Sequence, residues 1–196
     1  MATYRAIGAT CEAIAQLLQQ LWQRNPPDES HLQFAVYRTA DFDQPMDVGI
    51  SLFLYRVTVS NIQRTPPAKP GPQGYPRRSQ LPLELHFLLI PWAKQSSLEQ
   101  VILGWMLRTM EDYPILPSGL LNMAMPDVFD ADETVEIVSG QLSNEEMFRI
   151  WNVLPSKYQI SIPYTARILR IASETPLYEN PPVQIRELVF DRLKEQ

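Results

Sequence analysis

Two segments of the chain alternate with the two-residue period of a β-strand. In the first, ISLFLYRVTVS at residues 50–60, one face is apolar from Phe53 onwards and carries Phe53, Tyr55, Val57 and Val59. The other face begins apolar with Ile50 and Leu52 and turns polar at Arg56. We therefore predict a strand whose second face is covered only at its beginning.

The second segment, LPLELHFLLIPW at residues 81–92, changes character in the opposite direction. One of its faces carries only large apolar residues, namely Leu81, Leu83, Leu85, Phe87 and Leu89. The other face is polar at Glu84 and His86 and apolar from Leu88. In an antiparallel hairpin the polar halves of the two segments coincide beside the connecting loop, and the apolar halves coincide away from it. This match predicts such a hairpin, with Arg56 close to Glu84.

Three other segments repeat apolar residues at the three- and four-residue spacing of an amphipathic helix. The first covers residues 4–24, the second residues 97–112, and the third begins after Ser143. The Ser-x-x-Glu spacing of a capping box precedes the later two, at Ser96 and Ser143. The tryptophans on these stripes are predicted to be core residues: Trp22, Trp105 and Trp151.

Further strands are predicted at residues 32–37, 134–139 and 158–169. The last of these contains Pro163, which cannot donate a ladder hydrogen bond, so we expect it at a sheet edge or a bulge. The order of helix, strands, two helices and strand predicts an α+β fold, a mainly antiparallel sheet with helices packed on one face.

The segment from residue 61 to residue 80 connects the two hairpin strands and cannot form a packed element. It contains five prolines, two glycines and no acid, and its strong bases are Arg64, Lys69, Arg77 and Arg78. Loops of this length are either functional or disordered. Because this loop is a basic segment in an acidic chain, we expect it to contact a partner.

The end of the chain is predicted to lie outside the main domain, which we place at residues 1–180. After Pro181 and Pro182, residues 181–196 form a tail with one apolar run, whose predicted partner contacts are Val183, Ile185 and Val189. This tail is a candidate assembly arm that adds a strand to a neighbour. Folding back onto its own domain, as a strand or a helix, is an equally good interpretation of the sequence.

Composition narrows the class of protein. Apolar residues make up 45% of the 196 residues, which is enough for a core, and the net charge of −5 argues against a non-specific nucleic-acid binder. The sequence has no apolar run of about 18 residues and no signal-peptide core, so we expect a cytoplasmic protein without a transmembrane helix. The lone cysteine, Cys11, lies on an apolar stripe and is expected to be a buried thiol.

Motifs of enzymes and metal sites are missing from the sequence. The two histidines, His31 and His86, belong to no HExxH pattern, and no P-loop, GxGxxG, GxSxG or paired CxxC occurs. The acidic run from Asp127 to Glu133 lacks the glycine of a calcium loop and is predicted to be a solvated turn. We therefore expect no enzymatic activity, no cofactor and no metal, and we expect His86 to be a sheet histidine beside Glu84.

Several segments together resemble one protein family. They are ISLFLYRVT, the proline-rich loop, LPLELHFLLIPW, LGWMLRTMEDYPILP and LSNEEMFRIWNVLPSKYQISIPYTARILRI. The chain from about residue 5 to about residue 172 is similar to the N-terminal domain of the tail-cap protein, the tube and sheath terminator, of phage-tail-like contractile injection systems of the virulence-cassette and antifeeding-prophage type.

The resemblance implies a structural role in an assembled particle. Six copies would form a homo-hexameric ring on the baseplate-distal end of the inner tube and sheath, end polymerisation and couple the sheath to the tube. It also implies that sheath subunits exchange extended terminal arms, which a terminator must accept. The alternative is a small ligand-binding or enzymatic α+β domain that uses the half-covered hairpin face as a pocket.

Overall fold

The computed structural model describes residues 2–28, 31–60 and 80–173. The helices of this part are α1 (Ala6–Arg24), α2 (Ser96–Asp112), α3 (Ser118–Ala124) and α4 (Asn144–Asn152). The strands are β1 (Gln33–Tyr37), β2 (Gly49–Val59), β3 (Gln80–Trp92), β4 (Ile115–Pro117), β5 (Thr134–Ser139) and β6 (Ile162–Ala172). A short 3₁₀ helix covers Thr39–Asp43 and connects β1 to β2.

In the described residues these strands form one six-stranded sheet in the order β1-β2-β3-β6-β5-β4. The pairing of β1 with β2 is parallel, and the other pairings are antiparallel. The predicted α+β class with a mainly antiparallel sheet is therefore confirmed. β1 and β4 are the outermost strands, so the hairpin strands lie inside the sheet.

Apolar residues are buried on both faces of the sheet. On the first face, α1, α2 and α3 cover a core that includes Leu85, Phe87 and Leu89, with Trp22 and Trp105 in edge-to-face contact at 4.9 Å between ring centroids. On the second face, α4 and the 3₁₀ helix cover a smaller cluster around Trp151. Two of the three predicted helices, α1 and α2, lie on one face together with the short α3. The helix predicted after Ser143, α4, lies on the other face, where Trp151 packs in the second cluster.

The predicted hairpin is confirmed, since β2 and β3 pair in antiparallel register from Gly49–Trp92 to Val59–Leu83. The predicted faces of β2 are right beyond the β-bulge at Tyr55 and wrong before it, because the bulge adds an extra residue between Leu54 and Arg56. Leu52 therefore lies on the face of Leu89, and Phe53 lies on the face of Leu88. As a result Val57 and Val59 point to the same face as Leu52, whereas Arg56 joins Phe53 on the second face.

The bulge leaves the polar end of the hairpin intact. Arg56 lies opposite His86, and Thr58 lies opposite Glu84. Arg56 and Glu84 are therefore in adjacent pairs on the second face, close to each other as predicted, but not directly opposite. The change from polar to apolar along this face is confirmed.

The expectation that Pro163 marks a sheet edge is wrong. β6 starts at Ile162, not at residue 158, and lies between β3 and β5. Pro163 is tolerated there because the pairing of β6 with β5 begins only at Tyr164. The Pro163 carbonyl still accepts the Gly140 N–H at 2.8 Å. The missing N–H of Pro163 thus falls beyond the end of the β5 ladder.

One of the two predicted capping boxes forms. Ser143 Oγ accepts the Glu146 N–H at 3.2 Å, and Glu146 Oε2 accepts the Ser143 N–H at 2.9 Å. The box predicted at Ser96 does not form, because α2 begins at Ser96 itself and its N-cap is Gln95, which makes no side-chain capping bond. One residue of displacement is enough to move the serine out of the capping position.

Candidate assembly surface

The half of the hairpin far from the loop is rigid on its second face. Phe42 of the 3₁₀ helix contacts Phe53, Trp92 and Trp151, with ring centroids 5.1, 6.2 and 5.7 Å away. Trp92 also donates from its Nε1 to the buried Ser51 hydroxyl at 2.8 Å. Because such rings fill the space above the sheet at interior packing distances, this part of the face is solid core.

The half of the hairpin beside the loop is polar on the same face. His86 is held between the Thr58 hydroxyl at 3.0 Å from Nε2 and the Thr165 hydroxyl at 3.2 Å from Nδ1. Partial burial lowers the pKa of His86, nearby Arg56 lowers this pKa further, and Glu84 opposes the shift. The result is a neutral imidazole that ties β2, β3 and β6 together, which agrees with the expected sheet histidine.

Within the described part of the chain, the first face is also uncovered beside the loop. The side chains of Val57, Val59 and Leu81 are 42%, 45% and 40% exposed, whereas Leu83 and Leu85 further along β3 are buried. The register places all of them on one face, since Val57 pairs with Leu85 and Val59 with Leu83. We call the exposed group Val57, Val59 and Leu81 the tip patch.

Most of the predicted partner contacts lie outside the described residues. These are Arg64, Lys69, Arg77 and Arg78 in the loop, and Val183, Ile185 and Val189 in the tail. Their attachment points are described: the loop begins after Ser60 and ends before Gln80, and Gln80 pairs with Ala172 near the start of the tail. Both segments therefore leave the sheet at the same end of the hairpin. For Pro163, which is described, partner contact stays a prediction, now without the edge-strand argument.

An open strand edge lies at β1, not at β6, the strand that contains Pro163. Among the described residues β1 pairs only with β2, so its outer side carries backbone groups without a neighbouring strand in this part of the chain. An open groove with a volume of about 500 Å³ runs along it, between Val36 and the 3₁₀-helix residues Asp41 and Asp43. The sequence signal was a short strand next to a break at Pro26 and Pro27, but a position at the edge of the sheet depends on the pairing of all six strands.

A surface patch of exposed aromatic and aliphatic side chains on the α4 layer was missed by the sequence patterns. Phe148, Val153 and Tyr158 are 53%, 76% and 50% exposed, and the rings of Phe148 and Tyr158 lie 5.5 Å apart. Tyr158 also contacts the buried Trp151 at 5.8 Å, so the core below limits its motion. The predicted strand at residues 158–169 included Tyr158, which is wrong, because β6 begins at Ile162.

The acidic run between α3 and β5 has a structural role. Glu133 accepts a hydrogen bond from the Ala2 N–H at 3.0 Å and another from the Asp130 N–H at 2.9 Å. Ala2 in turn accepts the Ala172 N–H at 2.9 Å through its carbonyl oxygen. The run is a turn, as predicted, and it fixes the start of the chain beside β6. No cluster of His, Cys, Asp or Glu suited to a metal ion occurs among the residues that the structure describes.

Among the described helices, none has the length and hydrophobicity to cross a membrane.

Comparisons with known proteins agree on one family. The family model of the Pvc16 N-terminal domain matches residues 9–185. In a comparison of folds, the chain is similar to the sheath/tube terminator of the extracellular contractile injection system PVC in its extended state, with a TM-score of 0.60, 14% identity and 96% of this chain covered. It is also similar to the tube-terminating cap of the anti-feeding prophage, with a TM-score of 0.55, 15% identity and 92% covered.

The present chain covers 64% of the first of these chains and 59% of the second. No curated protein sequence matches it.

Proposed function

We propose, on the premise that this chain belongs to the Pvc16 N-terminal domain family, that it is the structural cap of a contractile injection system. In this role it ends the tube and sheath at the end distal to the baseplate and couples one to the other. The observation that carries the proposal is the similarity of its fold to a sheath/tube terminator over 96% of its length. We propose a non-enzymatic protein that assembles as a homo-hexameric ring, with inner tube and sheath as partners and no nucleic acid, in the cytoplasm before particle release.

The open edge of β1 suits a terminator that accepts an extended arm. An incoming strand would satisfy the outward N–H and C=O groups of β1 and add to the sheet. Arg38 limits the length of this edge, because its own N–H is bonded to Asp41 Oδ2 at 2.7 Å at the turn that follows β1. The edge therefore offers room for one short strand, which fits an acceptor that does not continue the lattice.

The basic loop is proposed as a second contact. Arg64, Lys69, Arg77 and Arg78 are carried by a segment attached to the hairpin end, away from the rigid aromatic cluster. The bulk of the chain is acidic, with a net charge of −5, so this loop is suited to meet acidic groups on tube, sheath or a neighbouring copy. Charge pairs of this kind orient partners more than they add affinity.

The alternative of a ligand pocket on the half-covered hairpin face finds less support. The covered half of that face is filled by the rings of Phe42, Trp92 and Trp151. The uncovered half is a sheet surface where His86 already bonds to two threonines. A small-molecule site usually needs a concave apolar cavity with convergent polar groups, and neither half has this form.

The test of the cap proposal is a charge reversal in the loop, Arg77→Glu with Arg78→Glu, in cells that make complete particles. We expect particles with uncapped ends and irregular length in electron micrographs. The matched control is Arg5→Glu with Arg108→Glu, which changes the net charge equally at two exposed positions of the domain. Capped particles of normal length in the loop variant would remove the loop from the mechanism, and normal particles after deletion of the whole gene would refute the cap role.

A further inference from the structure

The tip patch is an apolar surface that the described part of the chain leaves uncovered. Val57, Val59 and Leu81 continue the first-face core directly, because their neighbours in the register are the buried Leu83 and Leu85. The other edge of the patch is half-buried Ile171, which pairs with Leu81. A row of apolar side chains that runs from a core into solvent is a surface on which another apolar segment gains stability by burial.

The last described residues before the C-terminal tail lie beside this patch. β6 ends at Ala172, which pairs with Gln80, one residue before Leu81 in β3. Strand spacings place Val59 roughly 14 Å from this end of β6, two strands across and three residues along. A random-coil connection with the length of residues 174–182 has an average span of about 17 Å, which is enough to bring residue 183 over the patch.

The composition of the tail fits an apolar surface. Residues 183–190 have the sequence VQIRELVF. Five of these eight residues are apolar, namely Val183, Ile185, Leu188, Val189 and Phe190. The loop of residues 61–79 starts and ends at the same place, but its 19 residues contain only Ile62, Ala68 and Tyr75 besides prolines, glycines and polar residues. The tail is therefore the better match of the two segments that leave the sheet here.

We propose that residues 183–190 dock on the tip patch of their own chain. A segment on a nine-residue connection has an effective concentration in the millimolar range at a site within its reach. The same segment of a second copy competes only at the concentration of free protein, which is far lower in a dilute solution. Of the two interpretations that the sequence leaves open for the tail, proximity favours the one in which the tail completes its own domain.

This proposal does not depend on the cap role and has its own test. The full-length variant Val59→Cys with Leu188→Cys is treated with a short bismaleimide in dilute solution, and products are identified by intact mass and denaturing gel. The native Cys11 does not interfere, because burial raises the pKa of its thiol to about 12 and leaves little reactive thiolate. The matched control is Val153→Cys with Leu188→Cys, at an exposed position on the opposite layer.

We expect a cross-link within one chain for the Val59 pair, in a yield at least about tenfold above that of the Val153 pair. Leu81→Cys with Leu188→Cys gives a second position in the patch if Val59→Cys fails to fold. Cross-links formed only between chains, equal yields for the patch and the control, or no link at either patch position would overturn the proposal. The first of these outcomes would instead favour the tail as an assembly arm.

Discussion

The two halves of the β2–β3 hairpin differ in how they are covered, although one pair of strands forms both. Away from the loop, Leu52 and Leu89 are buried under the helices on the first face, and Phe53 and Trp92 are buried in the aromatic cluster on the second. Beside the loop, the first face exposes the tip patch and the second exposes Arg56. One half is therefore fixed by packing on two sides, and the other is left available to segments that are not part of the sheet.

The difference separates stability from contact within one element. The basic loop and the tail both leave from the open half, and none of the aromatic cluster lies there. A contact surface carried by a rigid hairpin keeps its geometry when a partner binds, since the anchored half cannot repack without opening two cores. The half-covered pattern in the sequence is thus better explained by attachment to other segments than by a pocket.

The largest effect is expected from a pair of substitutions on the same face of the same strand. Leu85→Ala should lower the free energy of unfolding by about 2–5 kcal/mol, because Leu85 is fully buried and its removal leaves a cavity. Leu81→Ala should cost clearly less than Leu85→Ala, since the described residues leave the Leu81 side chain half-exposed and only the proposed docking of the tail would cover it. Urea unfolding followed by far-UV circular dichroism measures both.

Equal losses for the two leucines would remove the contrast between the halves. A loss under about 1 kcal/mol for Leu85→Ala would show that β3 does not carry the core. If the tail docks on the tip patch as proposed, the loss for Leu81→Ala becomes smaller when residues 181–196 are deleted.

A smaller effect is expected from hydroxyl groups on the second face. Ser51→Ala leaves the buried Trp92 Nε1–H without its partner and should cost about 1–3 kcal/mol. Thr58→Val removes the hydroxyl that bonds to His86 Nε2 at the polar end. His86 keeps its hydrogen bond to the Thr165 hydroxyl and can bond to water, so the expected loss of unfolding free energy is about 0.5 kcal/mol or less. The same urea unfolding measurement tests both variants. A larger loss for Thr58→Val than for Ser51→Ala would contradict the assignment of a buried half far from the loop and a solvated half beside it.

The sequence predicted the hairpin and the main elements because their signals are local. The polar halves of β2 and β3 had to meet, and the register confirms that they do. The faces of Leu52 and Phe53 could not be predicted from the polar end of the strand, because strict alternation cannot reveal a bulge at Tyr55. The position of β6 inside the sheet could not be predicted either, since Pro163 fits an edge and a strand start equally well, and only the pairing with both β3 and β5 distinguishes them.

The candidate surface was less predictable than the fold. A helix with many apolar residues in α4 suggests one wide buried stripe, yet only Trp151 is fully buried and Phe148 faces solvent. Exposure of this kind depends on how far the 3₁₀ helix and the following segment extend over the sheet. The open edge of β1 likewise follows from a parallel pairing across a connection, for which the sequence carries no short-range signal.

The smallest expected effect is the contribution of His86, in the polar half of the hairpin, to the pH dependence of stability. Burial lowers the pKa of His86 below its ordinary value of 6.5. Arg56 on the neighbouring strand β2 lowers this pKa further, and Glu84, which lies on β3 like His86, raises it. Between these two pKa values the folded state binds fewer protons than the unfolded state. The contribution of His86 to the free energy of unfolding is therefore complete above pH 6.5 and decreases as the pH falls below it. The variant His86→Gln, which cannot titrate, should lose less of its melting temperature than the wild type between pH 7.5 and pH 5.5. Parallel curves for the two proteins, or a wild type that gains stability over this interval, would show that His86 is not held neutral between Thr58 and Thr165.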